Sequence, residues 1–262
     1  MPMISTPIGI WDLDGSLIDS VHNRESGCPK IFADILREEF DLSEDQYRAV
    51  LDYYAGPGCG LPVKIQYSDC LHLLGLPENK LEDLPENKLE ELAQRYFERA
   101  YSQVFPLYPD VVPCFEALTG LGYDQHCIST SMKSEFRFRD GREIDHVTET
   151  VRANGFDKYL RFWFGGKRAD EGKSHQKELI KHGFGVSDAD FREMSYMVGD
   201  SENDMMIASD WNVALPIYVN RRGFSMQRIK RELEERRIDS LRIFIVPSLE
   251  PVPIVVHNRF RI

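Results

Sequence analysis

The chain has 262 residues, 42% of them hydrophobic and 29% charged, with a formal net charge of −11, which reads as a soluble globular protein of one domain with a large insertion, or of two domains at roughly 150 residues each. That negative field disfavours general binding to nucleic acid, and no apolar run approaches the roughly 20 residues a bilayer span needs. Five scattered cysteines without Cys-x-x-Cys, and histidines without His-Glu-x-x-His, argue against a disulfide framework and a zinc site; with no signal-peptide pattern in "MPMISTPIGIWDLDG", the expectation is a cytoplasmic protein with no membrane partner.

Pro7 to Trp11 is a short apolar run that reads as a buried strand. At its end stand Asp12 and Asp14, followed by Gly15 and Ser16, two carboxylates where each repels the other. From Pro29 to about Val104 the signals are helical. "KIFADILREEF" places Ile31, Ile35, Leu36 and Phe40 on one face, and Ser43 is placed to cap "EDQYRAVLDYY". Gly56, Pro57, Gly58 and Gly60 break the pattern before "KIQYSDCLHLLGL" resumes it. "LPENKLED" and "LPENKLEE" form a tandem duplication over Leu76 to Glu91, a repeated helix start with proline in the first turn. The second copy runs into a helical stripe of Leu89, Leu92, Ala93, Tyr96, Phe97, Ala100, Tyr101 and Val104, expected to pack in a core.

After Pro109 strands and helices alternate. "VVPCFEALTGLGY" reads as helix, "QHCIST" as strand, "EIDHVTETVRANGF" as helix, and "LRFWFGG" as a short apolar element. "SHQKELIKHGF" is helical, "MSYMVGD" a strand, "NDMMIASDW" a helix, and "VALPIYV" and "LRIFIVP" further strands. Such alternation predicts an α/β fold with a doubly wound parallel sheet, functional groups collecting at the carboxyl ends of the strands. The expected organisation is a core of residues 1–20 and 108–262, with an α-helical cap inserted over 21–107. Four strand ends carry polar residues: Asp12 and Asp14; Ser129, Thr130 and Ser131; "GGKRADEGKSH" with Lys173; and "VGDSENDMM" with Asp200, Glu202 and Asp204. An EF-hand reading of Asp12 to Asn23 fails, because Leu17 stands where its glycine belongs and Asn23 where its glutamate belongs.

In these motifs and their order the chain resembles the haloacid dehalogenase superfamily, in its phosphoglycolate phosphatase-like and β-phosphoglucomutase-like branch with a helical cap. "WDLDGSLIDS" is similar to that family's first motif, "CISTS" to the second, "EGKSH" to the third (with Ser174 where proline is frequent) and "VGDSENDMMIA" to the fourth. The resemblance implies a Rossmann-like core and a Mg²⁺-dependent phosphatase. Asp12 is then the nucleophile that forms an aspartyl-phosphate. Asp14 is the acid and base toward the leaving group and water, its backbone carbonyl touching the metal. Asp200 completes the metal ligands with Asp12. Lys173 and Thr130 bind phosphoryl oxygens, Ser131 adds a backbone N–H, and Asp204 steadies the metal shell or Lys173. Ser129 is an alternative to Thr130, and Lys167 to Lys173. Glu202 reads as exposed turn or support, His22 as a hinge or surface histidine, and Arg137 to Arg142 as a solvated face.

The expected substrate is a small phosphorylated metabolite, with the protein a monomer or homodimer. A sugar phosphomutase of the same fold and a phosphate-binding module without turnover are the rival readings. The insertion is expected to act as a lid, with Gly56 to Lys64 approaching the ligand and Lys64 meeting a second charge or lying on the surface.

Overall fold

The structure is a computed structural model that describes residues 6–56, 58, 61–75, 87–133, 135–166 and 173–261. The chain divides into two compact units, Met1–Asp19 with Pro106–Ile262, and Ser20–Phe105.

The first unit is built on β1 (Ile8–Trp11), β2 (Gln125–Lys133), β5 (Phe162–Gly166), β6 (Ser195–Gly199), β7 (Leu215–Val219) and β8 (Phe244–Val246). They form one sheet in the order β5-β2-β1-β6-β7-β8, with every pair parallel. β1 is buried along its whole length, as a central parallel strand covered on both faces must be. Its alternation divides the core. Ile8 and Ile10 pack with Cys127, Ile180, Phe191 and Met197. On the other face Trp11 sits 4.4 Å from Phe115 and edge-on to His126 and Tyr196. Gly9 belongs to that crowded face: a Cβ there would lie 2.5 Å from the Tyr196 hydroxyl and 2.6 Å from His126 Nδ1.

Because β2 and β6 flank β1 on opposite sides, the strand order reverses at β1. The crevice at its carboxyl end is the place where open α/β sheets bind ligands.

Three elements differ from the sequence expectation. "EID" does not start a helix: Glu143–Asp145 is β4, paired antiparallel with β3 (Glu135–Arg137). The helix starts at His146 because Asp145 accepts a hydrogen bond from Thr148 N at 3.0 Å and caps it. The run from Arg137 to Arg142 is thus the arm and turn of a hairpin. Its exposed Arg137 and Arg142 pair with Glu143 and Asp140, while Phe138, and Phe136 just before the run, are buried. Second, β2 continues past Thr130 to Lys133. Third, in "LRIFIVP" Leu241 and Arg242 lie in a 3₁₀ turn, leaving only Phe244–Val246 as strand.

The second unit contains α1 (Cys28–Phe40), α2 (Glu44–Ala55), α3 (Val63–Leu73) and α4 (Lys88–Ala100). Ser43 caps α2 in a reciprocal capping box with Gln46. Phe32 stacks on Tyr67 at 4.1 Å, and the hydroxyls of Tyr54 and Tyr96 meet at 2.6 Å. In α4 the expected stripe buries Leu92, Ala93, Tyr96 and Ala100. Val104 falls beyond the helix end and is 56% exposed, so the stripe stops short of it. Residues 76–86 of the tandem duplication lie outside the described residues. Among the described residues no helix is long and apolar enough to cross a membrane.

Candidate active site

The site is built where β1 ends. Asp12 N still bonds Val198 O at 2.9 Å, extending the ladder by one residue. The chain then turns sharply: Gly15 N donates to Ile18 O at 3.0 Å, with Gly15 at φ +76°. Two constraints demand glycine there. The φ is left-handed, and an added Cβ would stand 2.6 Å from Asp200 Oδ2. Gly199 is constrained likewise, since a Cβ would lie 2.4 Å from the Cβ of Asp204.

These close approaches bring three carboxylates together. Single oxygens of Asp12, Asp200 and Asp204 lie within 4.8 Å of one another, and all three residues are buried. Lys173 Nζ, also buried, donates to Asp12 Oδ1 and Asp204 Oδ1. Ser16 Oγ, fully buried, lies 3.1 Å from Asp12 Oδ2 and 2.8 Å from Asp200 Oδ1. A hydroxyl has one proton, so it satisfies only one of these two oxygens at a time.

The electrostatics follow. Burial, reinforced by Asp204 and by Asp200 and Asp14, pushes the Asp12 carboxyl well above its ordinary value against the pull of Lys173. For Lys173, burial opposes the charge, but Asp12 and Asp204 outweigh it and hold the ammonium above its ordinary value. Three buried carboxyl groups thus share one buried ammonium, which donates to two of them. A divalent cation with hard oxygen preference matches that donor set. Asp12 Oδ2 and Asp200 Oδ1, which converge on the single Ser16 proton, are the oxygens best placed to hold it. Asp204 is already used: Oδ1 takes Lys173, and Oδ2 takes the Ser201 hydroxyl at 2.6 Å in the capping box that opens the helix Glu202–Asp210.

Of the residues singled out in the sequence, Asp12, Lys173, Asp200 and Asp204 come together in this cluster. Asp14 is half-buried on the same turn, close enough to raise the Asp12 carboxyl. Thr130 is fully buried on β2 beside β1. The side chain of Ser131 lies outside the described residues, as does Lys167. Ser129 turns away to donate to Gln176 Oε1 at 2.7 Å. Glu202 is no exposed turn: it is buried and accepts from the Tyr218 hydroxyl at 3.2 Å. His22 and Lys64 belong to the second unit, where Lys64 pairs with Glu90 at 2.7 Å.

Two supports had no sequence signal. Gln176 sits at the start of the helix Gln176–Phe184. Arg221, just past β7, forms a bidentate pair with Asp110 at 2.7 and 2.8 Å, donates to Ser16 O at 3.0 Å, and lies 4.0 Å over the Tyr108 ring. Burial opposes ionisation of Asp110, but the Arg221 hydrogen bonds hold its carboxyl below the usual range. The turn that carries Asp14 and Ser16 is thereby clamped from behind.

Comparison with solved structures finds the same fold repeatedly. A haloacid dehalogenase-like hydrolase from Streptococcus pneumoniae superposes with a TM-score of 0.62 at 16% identity, over 98% of this chain and 100% of that one. A protein described as a phosphoglycolate phosphatase from Haemophilus somnus gives 0.62 at 17%, over 97% and 99%. One described as a β-phosphoglucomutase from Thermotoga maritima gives 0.61 at 16%, over 97% and 99%. No protein-family model matches the sequence, and no curated protein does. The likeness establishes the architecture: this chain has the haloacid dehalogenase-type α/β fold with a helical insertion.

Proposed function

We propose that the protein is a phosphatase that hydrolyses a small phosphate monoester through an aspartyl-phosphate on Asp12, with Mg²⁺ held by Asp12, Asp200 and the Asp14 carbonyl. The observation that carries this reading is the buried cluster itself, three aspartates gathered at the switch point of the sheet around one ammonium. The names of the structural neighbours, two of them a hydrolase and a phosphatase, support it.

Phosphate esters resist attack because their oxygens repel nucleophiles, so the site must neutralise charge and hold the group in line. Bound Mg²⁺ supplies positive charge to the phosphoryl oxygens and favours the ionised form of Asp12. An Asp12 carboxylate oxygen forms a bond to phosphorus as the ester P–O bond breaks. The departing alkoxide takes its proton from Asp14. Lys173 and the Thr130 hydroxyl hold phosphoryl oxygens through the transfer. In the second half Asp14, now a carboxylate, takes a proton from water while the water oxygen bonds to phosphorus. The bond to Asp12 breaks, releasing inorganic phosphate and the free carboxylate.

The test is phosphate release from a panel of small phosphorylated metabolites and an aryl phosphate, with and without Mg²⁺. Steady release that needs the metal supports the reading; conversion to an isomeric phosphate with little release identifies a mutase, and no turnover identifies a binding module.

A further inference from the structure

This inference rests on the phosphatase reading and concerns how the anion-binding part of β2 is held. β2 keeps register with β1 as far as Trp11 and Ile128, and with β5 as far as Ser129 and Phe164. The register then slips, and the next pair is Lys133 with Gly166. Four steps along β2 therefore span two along β5. Extra residues in one strand leave backbone groups outside the ladder and bend the strand locally.

Gln176 occupies that irregularity. Its Nε2 donates to Thr130 O at 3.0 Å, and its Oε1 accepts from Ser129 Oγ at 2.7 Å. Ser129, Thr130 and Gln176 are all fully buried. A buried amide is costly unless both of its ends are paired; here the two partners are consecutive residues of the segment under question. Gln176 also directly follows the turn Lys173–His175. One side chain thus ties the strand that carries Thr130 to the turn that carries Lys173.

We propose that Gln176 is a positioning residue. By holding the Thr130 carbonyl and the Ser129 hydroxyl, it presents the Thr130–Ser131 stretch of β2 to a phosphoryl oxygen, at a fixed offset from Lys173. The same contact engages the first hydroxyl of the run, since Ser129 serves Gln176.

Gln176→Met keeps length and loses both hydrogen bonds. Inorganic phosphate is titrated calorimetrically into wild type and variant at saturating Mg²⁺, and Mg²⁺ into each without phosphate. The expected result is about tenfold weaker phosphate binding, the scale of one lost hydrogen bond to an ion, with Mg²⁺ affinity unchanged within about twofold. A purely structural amide leaves phosphate affinity where it was or moves both ligands together, and either outcome overturns the proposal. Gln176→Glu decides the matter even where the methionine variant does not fold. Its carboxylate repels Thr130 O, whereas its protonated acid donates to that oxygen and accepts from Ser129. Phosphate affinity relative to wild type must therefore recover as pH falls; a pH-independent ratio overturns the proposal. Wild type that binds no phosphate refutes the phosphatase reading instead.

Discussion

Replacing Asp200 by Asn removes one of three mutually repelling charges while keeping its shape and its ability to accept from Ser16. The carboxylate oxygens of Asp12, Asp200 and Asp204 lie within 4.8 Å of one another. At an effective dielectric near 20, each repulsion across that distance is about 3 kcal/mol. Removing the Asp200 charge relieves its repulsion with Asp12, so the metal-free protein is expected to gain up to about 3 kcal/mol from the substitution. At roughly 2–4 °C per kcal/mol for a domain of this size, the metal-free melting temperature rises by up to roughly 6–12 °C. A divalent ion held by these oxygens would stabilise wild type by about 2.7 kcal/mol at a hundredfold excess over Kd. Scanning calorimetry with chelator and with Mg²⁺ checks both halves. Asp200→Asn should melt higher than wild type in chelator, show almost no Mg²⁺ shift, and release no phosphate. A variant that melts lower than wild type in chelator refutes the reasoning, because the charge of Asp200 is then already balanced by the chain.

Asp12→Asn abolishes phosphate release while the circular dichroism spectrum stays native; a residual rate of a tenth of wild type rules out the covalent route. Gly15→Ala forces a left-handed alanine, about 1–2 kcal/mol, and drives a methyl against Asp200, so Mg²⁺ affinity measured by calorimetry falls more than the melting temperature alone accounts for. Arg221→Lys keeps charge but loses the fork on Asp110 and the contact with Ser16, and is expected to lower kcat with little change in KM for an aryl phosphate. His126 is buried, and desolvation lowers its pKa to about 4. Because the folded state favours neutral imidazole, the stability it contributes is complete above the unfolded value near 6.5 and is lost as pH falls toward 4, by of order 3 kcal/mol. The difference between wild type and His126→Gln in urea midpoint should show that slope.

What could be read from the sequence was whatever chemistry had concentrated into short spacing. Asp12, Asp14, Gly15 and Ser16 share one turn, and Gly199, Asp200 and Asp204 share another, so the glycines that let the carboxylates approach sit beside them. The alternation after Pro109 yielded the parallel sheet because buried strands are continuous apolar runs. The hairpin over Glu135–Asp145 was hidden because "EIDHVTETV" carries helical periodicity, and only the cap at Asp145 moves the start to His146. Gln176 reads as an ordinary polar residue of an amphipathic helix; its partners are 46 and 47 residues away. Arg221 is 205 residues from Ser16. Nothing local distinguishes a side chain whose purpose is set by a distant backbone oxygen.

The place of β1 in the middle of the sheet has a consequence for how the chain matures. Ile8 pairs with Gln125 on one side and with Ser195 on the other, so the strand that leads into Asp12 emerges from the ribosome 187 residues before its second neighbour. At about 5–20 residues per second, that is a wait on the order of ten to forty seconds. The unit Ser20–Phe105 contains its own aromatic core and local helix pairs, and can collapse during that interval. "IGIW" cannot pair until β2 is made, and until β6 follows it keeps one open edge, the kind of segment that chaperones shield. Assembly of Asp12 with Asp200 therefore waits until β6 has been made, 187 residues after β1.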